Sequence, residues 1–314
     1  MRARERDFVQ RVLREGEVAG QESWRLGESV LEGVLGADPP LILYHYTSQA
    51  GLLGIATTRM LWATNMAYLN DTSEYEYGSN VIRAAIKRRR TAESEKHDKF
   101  LAETESAFSA KAHDFCQASL TESGDLLSQW RGYTENGNGY CVGFDANAIR
   151  ARAGVDGEWL LTRCEYRPSR QEEMAEALVD QWFQSWEKVN AAPQKLGFWE
   201  NLFGPSFEFA IAANVLALSF KDPSYSEERE WRVVINESGT EKVRFRTGKS
   251  MITPYLEIDL RPSQPEQCEV AMKRVIVGPC PHPSLAADSV RMLLDTKDYK
   301  EVEVIPSVIP FRAW

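Results

Sequence analysis

From residue 217 onward the chain turns into strands. Segments 217–221, 228–236, 241–247, 252–259 and 272–277 are rich in β-formers and joined by short connections. Short connections favour antiparallel neighbours, because a parallel pair needs a crossover of about a dozen residues or more. Helical periodicity lies earlier, at about 72–90, 94–112, 168–190 and 205–217. Isolated strands are expected among these helices at 41–46, 60–63, 114–121, 139–145 and 157–166, with short helices at 48–57 and 125–133. A helix at 283–295 and a strand near 301–306 close the chain. Helices early and strands late predict an α+β fold with a mixed, mostly antiparallel sheet, not a doubly wound one.

Two amphipathic stripes precede this pattern. Phe8, Val9 and Val12 form one; Trp24, Leu26, Val30, Leu31 and Leu35 form the other, before Asp38-Pro39-Pro40 breaks the chain. Residues 1–38 therefore read as a helical appendage, with 1–36 available to a protein partner, and 39–314 as the main domain. Within the main domain, about 168–217 reads as a helical insert whose aromatics Trp182, Phe183, Trp186, Phe198 and Trp199 are expected mostly in its core.

The charge balance narrows the function. There are 37 basic and 46 acidic residues, net −9, which disfavours a broad nucleic-acid footprint. Lys87-Arg88-Arg89-Arg90 reads as a solvated helix end. Five scattered cysteines without a C-x-x-C exclude a zinc ribbon, and Cys116, Cys141 and Cys164 read as reduced core residues. The charged start lacks a secretory pattern, and no run approaches the ~20 apolar residues of a membrane span, so a cytoplasmic protein without membrane contact is expected.

Four stretches carry candidate chemistry. Tyr44-His45-Tyr46-Thr47 ends the first strand; alternation places His45 and Thr47 on one face and the tyrosines on the other. The backbone can fix one imidazole nitrogen while the other orients a polar ligand, or the histidine is simply satisfied by a carbonyl in the core. Asp71 and Glu74 have the spacing of a capping box, which explains "LNDTSEYEY" without a metal site. Ser119 and Thr121 alternate onto one side of a strand end, followed by Trp130-Arg131, Tyr133 and Asn136-Gly137-Asn138-Gly139. That turn suits a phosphate or an ordinary hairpin. Finally, Glu228, Glu230 and Arg232 alternate on one expected face of a strand. They form either a solvated edge or a Glu-x-Glu pair at a cleft mouth, with Arg232 keeping one carboxylate ionised.

No G-x-S-x-G, Walker loop, G-x-G-x-x-G or H-E-x-x-H occurs. A metal-dependent nuclease would have to draw on Asp71 or Asp114 with Glu228 and Glu230, and no lysine stands beside that pair in the strand.

The blocks "YHYTS", "GLLGI", "RMLWAT", "YLNDTSE", "SLTES", "LLSQWRGY", "GYCVGFD", "EEREWRVV" and "KRVIVGP" resemble, in order and from residue 41 to about 310, the bacterial domain-of-unknown-function family numbered 2971. More remotely, "YHYT", Ser119-Leu120-Thr121 and Glu228-x-Glu230 resemble the three motifs of the ADP-ribosyltransferase superfamily. This second resemblance implies an ADP-ribosyltransferase-like core with NAD⁺ as substrate, and an ADP-ribosyltransferase or NAD glycohydrolase activity without a metal. It implies His45 at the nicotinamide-side ribose, Glu230 stabilising the oxocarbenium-like transition state and Glu228 orienting the acceptor. Tyr46, Trp62 or Tyr133 would stack on nicotinamide, and Thr47, Ser119, Thr121 and Arg131 would complete the cofactor site. The acceptor would be a protein or nucleic acid, in the setting of a bacterial toxin or anti-phage effector. The alternatives are a non-catalytic nucleotide-binding or sensor module of a defence system, or the nuclease.

Overall fold

The computed structural model describes residues 31–69, 72–91, 95–110, 115–134, 138–156, 159–191, 205–236, 242–248, 251–261, 271–299 and 301–311. Its strands are β1 (Ile42–Thr47), β2 (Met60–Asn65), β3 (Phe115–Thr121), β4 (Tyr140–Asp145), β5 (Leu160–Arg163), β6 (Glu230–Asn236), β7 (Arg244–Thr247), β8 (Ile252–Asp259), β9 (Met272–Val277) and β10 (Glu303–Pro306). Its helices are α1 (Gln49–Thr58), α2 (Thr72–Thr91), α3 (Glu95–Ala110), α4 (Leu127–Tyr133), α5 (Ala146–Asp156), α6 (Pro168–Ala191), α7 (Pro205–Ser219) and α8 (Pro283–Asp295). The fold is mixed α+β, and all ten strands join one sheet in which only β9 and β10 pair in parallel.

The main path of the sheet runs β10-β9-β4-β1-β3-β2-β8-β7, and a branch, β6 then β5, leaves from β3. Side-chain alternation sorts the two faces. Leu43, Ala118, Leu120, Val142 and Val233 face a core shared with Leu52 and Ile55 of α1, Ile149 of α5 and Val290 of α8. The other face meets a layer of α2, α3, α6 and α7, represented by Ile82, Phe108, Leu178 and Leu216. On that second face Tyr44 and Tyr46 pack with Trp130 of α4 and with Cys141.

Several expectations change. The segment 217–221 is not a strand: α7 continues to Ser219, and Phe220 makes a single bridge to Glu165. An apolar run of this length does not itself distinguish a buried helix from a strand, and packing on three helices decides for the helix. The strand expected at 228–236 begins at Glu230, not at 228; Pro223–Glu228 is a 3-10 turn capped by Asp222, and Arg229 takes a left-handed φ of 41°. Helix α5 was not expected. The helices of the 168–217 segment, α6 and α7, pack with α2 and α3 in one helical layer. Residues 1–30 lie outside the described residues, while Leu31, Val34 and Leu35 are buried in that same layer. Phe198 and Trp199 also lie outside; Trp182 and Phe183 are buried as expected. Cys116, Cys141 and Cys164 are buried and unbridged; Cys268 lies outside the described residues. No helix among the described residues is long and apolar enough to cross a membrane.

One glycine sets the spacing of the helical layer. A Cβ on Gly78 of α2 would collide with the backbone of Ala217 in α7. Backbone cannot rotate away as a side chain can, so Gly78→Ala should force α2 and α7 apart. A loss of about 1–3 kcal/mol is expected, read as a lowered midpoint in urea unfolding. An unchanged midpoint would show that this close approach is not required.

Candidate functional site at a fork in the sheet

Strand β3 is paired to β6 along its whole length, from Phe115 opposite Asn236 to Thr121 opposite Glu230. Its other edge is shared. Cys116 and Gln117 pair with Asn65 and Thr64 of β2, and Thr121 alone pairs with Tyr44 of β1. Between these attachments residues 118–120 have no strand partner on that edge, so β1 and β2 splay apart like a fork. A cleft of about 180 Å³ opens there. It is lined by residues of β1, β2, β3 and α4, by Glu228 and Glu230, and by Arg246 of β7.

His45 stands in the fork. Its Nδ1 is 3.0 Å from the carbonyl oxygen of Ser119, on the unpaired edge of β3. A carbonyl cannot donate, so Nδ1 carries the proton. Burial holds the imidazole below its ordinary value; Arg246 adds to this, and the Ser119 hydrogen bond opposes it. The ring is therefore neutral at pH 7, and Nε2, which has no partner among the described residues, is a lone-pair acceptor.

Glu228 and Glu230, which line the same cleft, belong to a cluster of charges built from β6, the turn before it, Lys221 after α7, and α2. Lys221 Nζ is 2.6 Å from Glu228 Oε2, 2.6 Å from Glu230 Oε2 and 2.9 Å from Glu74 Oε1. Arg232 reaches Glu230 with Nε and Nη2, both at 2.9 Å, and Glu74 Oε2 with Nη2 at 2.6 Å. Its Nη1 donates to the carbonyl of Leu218 at the end of α7. Glu230 is 4 % exposed, Arg232 and Lys221 each 1 %. These charges are tolerable only because each is paired. With all five ionised, three carboxylates face two cations, and the cluster is net negative.

The two carboxylates at the cleft are pushed in opposite directions. Burial favours protonation of Glu230, but Arg232 and Lys221 together outweigh it and hold Glu230 well below the usual range. Glu228 has only Lys221 and lies beside the other carboxylates, and burial raises it above its ordinary value. Carboxyl pairs separated in this way divide into an ionised stabiliser and a proton-carrying acid or base.

The supporting shell fixes these positions. Gln171 Nε2 of α6 donates to the carbonyls of Lys221 and Glu165, and Tyr77 of α2 donates to Gln171 Oε1. The backbone N–H of Glu230 donates to the Tyr166 hydroxyl. Thr121 Oγ1 donates to the Glu228 carbonyl and accepts from Ser123 N. Thr121→Val should leave that carbonyl unsatisfied and loosen Glu228. A loss of about 1–3 kcal/mol is expected in thermal unfolding; an unchanged transition would make this bond dispensable.

Of the residues singled out in the sequence, His45, Tyr46, Trp62, Ser119, Thr121, Tyr133, Glu228 and Glu230 line this one cleft. Thr47 and Arg131 do not. Arg131 is exposed on α4 and lies over the ring of Phe311, 5.0 Å from its centroid. Thr47 packs its side chain near Gly51 at the start of α1. Two others line the cleft with their polar groups already committed. Thr121 is bonded as above, and Tyr46 donates to Ser123 O, accepts from Leu126 N and packs edge-on against Trp130. That leaves Trp62 and the half-exposed Tyr133 as the aromatic surfaces for a ligand. Asn136 and Gly137 of the glycine turn, and Asp71 and Asp114, lie outside the described residues.

Three participants were not foreseen. Glu74 was read as a capping-box residue in preference to a metal ligand with Asp71 and His45, yet its carboxylate bridges Lys221 and Arg232. Lys221 was expected at the end of a strand, where nothing pointed it towards Glu230. Arg246 had no visible signal beyond its place in a late strand. The solvated-edge expectation for Glu228, Glu230 and Arg232 does not hold, because β6 lies between β3 and β5. Glu74, Glu228 and Glu230 do converge, but around the ammonium of Lys221. Among the described residues no group of His, Cys, Asp and Glu is set to hold a metal ion.

The family described as a protein of unknown function (DUF2971) matches over residues 129–233, about a third of the chain. The matched segment runs from α4 to β6. It contains Lys221, Glu228, Glu230 and Arg232 but neither His45 nor Ser119, and is narrower than the sequence blocks above. Comparison with curated proteins and with solved structures yields no match.

Proposed function

We propose that the fork cleft binds NAD⁺ and cleaves its nicotinamide–ribose bond, passing ADP-ribose to a macromolecular acceptor or to water. The observation that carries this reading is the convergence of three distant motifs. His45, Ser119 and Glu230 line one cleft on adjacent strands. Breaking the glycosidic bond leaves positive charge on the ribose. A fixed carboxylate beside that carbon stabilises the charge as it develops, and a preorganised, dry site makes the interaction strong. Glu230 is such a carboxylate, held ionised by Arg232 and Lys221. Neutral His45 offers Nε2 to a ribose hydroxyl. Glu228, higher in pKa and nearer solvent, is suited to take the proton of an attacking hydroxyl. A toxin or anti-phage role, cytoplasmic location and a protein or nucleic-acid acceptor belong to this reading by analogy with the resembling superfamily.

A second reading has its own observation. Both oxygens of Glu230 already bond Arg232, and one also bonds Lys221. A carboxylate so engaged suits a cleft that binds a nucleotide without cleaving it. Incubation with NAD⁺ labelled in its ADP-ribose half separates the two. Cleavage places label on a macromolecule of added cell extract or in free ADP-ribose. Binding alone returns every count as intact NAD⁺ after denaturation, and would overturn the proposal.

A further inference from the structure

The cleft has a positive pole that the reading above leaves unused. Arg246 of β7 lines it, across from His45. Its Nη2 donates to Thr64 Oγ1 of β2 at 3.0 Å, which fixes the guanidinium. No carboxylate among the described residues pairs with it, and its buried Nε–H has no acceptor. In the same cleft the Nε1–H of Trp62 is also buried without an acceptor, although the ring is held against Tyr255 at 4.7 Å. Both orphans are donors and both belong to cleft residues. A half-buried cation with no carboxylate partner and one unsatisfied N–H, together with an unsatisfied indole N–H in the same cleft, is costly unless a ligand supplies acceptor oxygens. In the same wall Gln117, 4 % exposed, has an Oε1 without a donor.

We infer that Arg246 and Trp62 seat a phosphate group, with Gln117 receiving a neighbouring hydroxyl, so that the cleft takes a phosphorylated ribose. The guanidinium presents a planar fork that matches phosphate oxygens, and the indole N–H adds a third donor. The cleft is then dipolar, with Arg246 at one pole and the net-negative Glu74–Glu228–Glu230 cluster at the other. A ligand with an anionic phosphate at one end and a cationic or cation-forming sugar carbon at the other fits that field. A volume of about 180 Å³ is below the ~300–1,000 Å³ of pockets that enclose a whole drug-sized ligand, so the rest of a dinucleotide would lie over the rim. The inference rests on the NAD⁺ reading only for what the sugar carries at its far end.

Calorimetric titration of the full chain with ADP-ribose, inorganic pyrophosphate and adenosine tests it. Wild type should bind ADP-ribose and pyrophosphate, adenosine much more weakly, and the ADP-ribose affinity should fall with salt. Arg246→Gln should lose about ten- to a hundredfold for ADP-ribose and nothing for adenosine, and Arg246→Lys should recover part of the loss. Trp62→Phe, which keeps the ring, should lose about three- to tenfold. Unchanged thermal unfolding of the variants shows that they fold. Equal ADP-ribose affinity in Arg246→Gln and wild type would overturn the seat, as would no binding of either phosphate compound at millimolar concentration. If binding depends on Arg246 while NAD⁺ stays intact, the seat stands and cleavage falls. If NAD⁺ is cleaved with the same KM in Arg246→Gln, cleavage stands and the seat falls.

Discussion

Lys221→Met should be the most destabilising single change in the site, and its cost should depend on pH. The wild-type ammonium touches Glu74, Glu228 and Glu230 within 2.9 Å and is itself 1 % exposed. A methionine fills similar volume but leaves the buried Glu230 and the half-buried Glu74 and Glu228 with Arg232 as the one remaining cation of the cluster. Breaking a buried ion pair by removing one partner costs about 3–5 kcal/mol. In wild type, Glu230 has a folded pKa depressed to about 2, so its stabilising contribution is complete above the ordinary carboxylate value of 4.5 and is lost as pH falls towards 2. Removing Lys221 raises the folded values of the carboxylates. A raised carboxyl stabilises only while protonated and loses that contribution as pH rises through its folded value. The gap in unfolding temperature between wild type and variant should therefore be widest at pH 7–8 and narrow towards pH 5. A gap that is constant with pH would mean that Lys221 acts by packing and not by charge.

Glu230→Gln and Glu228→Gln should separate the roles of the two carboxylates. Glutamine keeps the shape of Glu230 but removes the charge that faces a developing cation. Losing one such preorganised interaction costs about a hundred- to a thousandfold in rate, roughly 2.7–4 kcal/mol. This loss should be nearly independent of pH from 5 to 8, because Glu230 is ionised throughout that range in wild type. Glu228 is different: its pKa is raised, so the activity that depends on it should climb with pH through a value above 4.5. Glu228→Gln should abolish that limb while leaving residual cleavage to water. Initial rates of nicotinamide release across pH 5 to 8 measure both. Equal losses with identical pH profiles would refute the division of labour.

The fold class was legible because periodicity is local. Alternation marked β1, β3, β4, β8 and β9, and the 3.6-residue pattern marked α2, α3 and α6. What failed was information carried by contact. The α7 boundary at Ser219 and the turn Pro223–Glu228 depend on how α7 packs on its neighbours, and an apolar run reads the same either way. In the cleft, His45, Ser119 and Glu230 stood out because polar groups at the ends of apolar strands are conspicuous. Lys221 and Glu74 did not, since each has an adequate local explanation, a strand-end lysine and a helix cap. Only the tertiary fold shows that Lys221 meets Glu230 and Glu74, and that Glu74 in turn meets Arg232. Arg131 misled for the reverse reason: Trp130 beside it is buried and Tyr133 lines the cleft, while Arg131 lies over Phe311.

Cleavage of the nicotinamide–ribose bond in the fork cleft is the proposed activity. Its most direct test is a time course of free nicotinamide from NAD⁺ with purified protein, divalent cations chelated and cell extract added as a source of acceptor. Release by wild type should continue under chelation and drop at least about a hundredfold in Glu230→Gln. NAD⁺ left intact by wild type, or equal release by the variant, would contradict it.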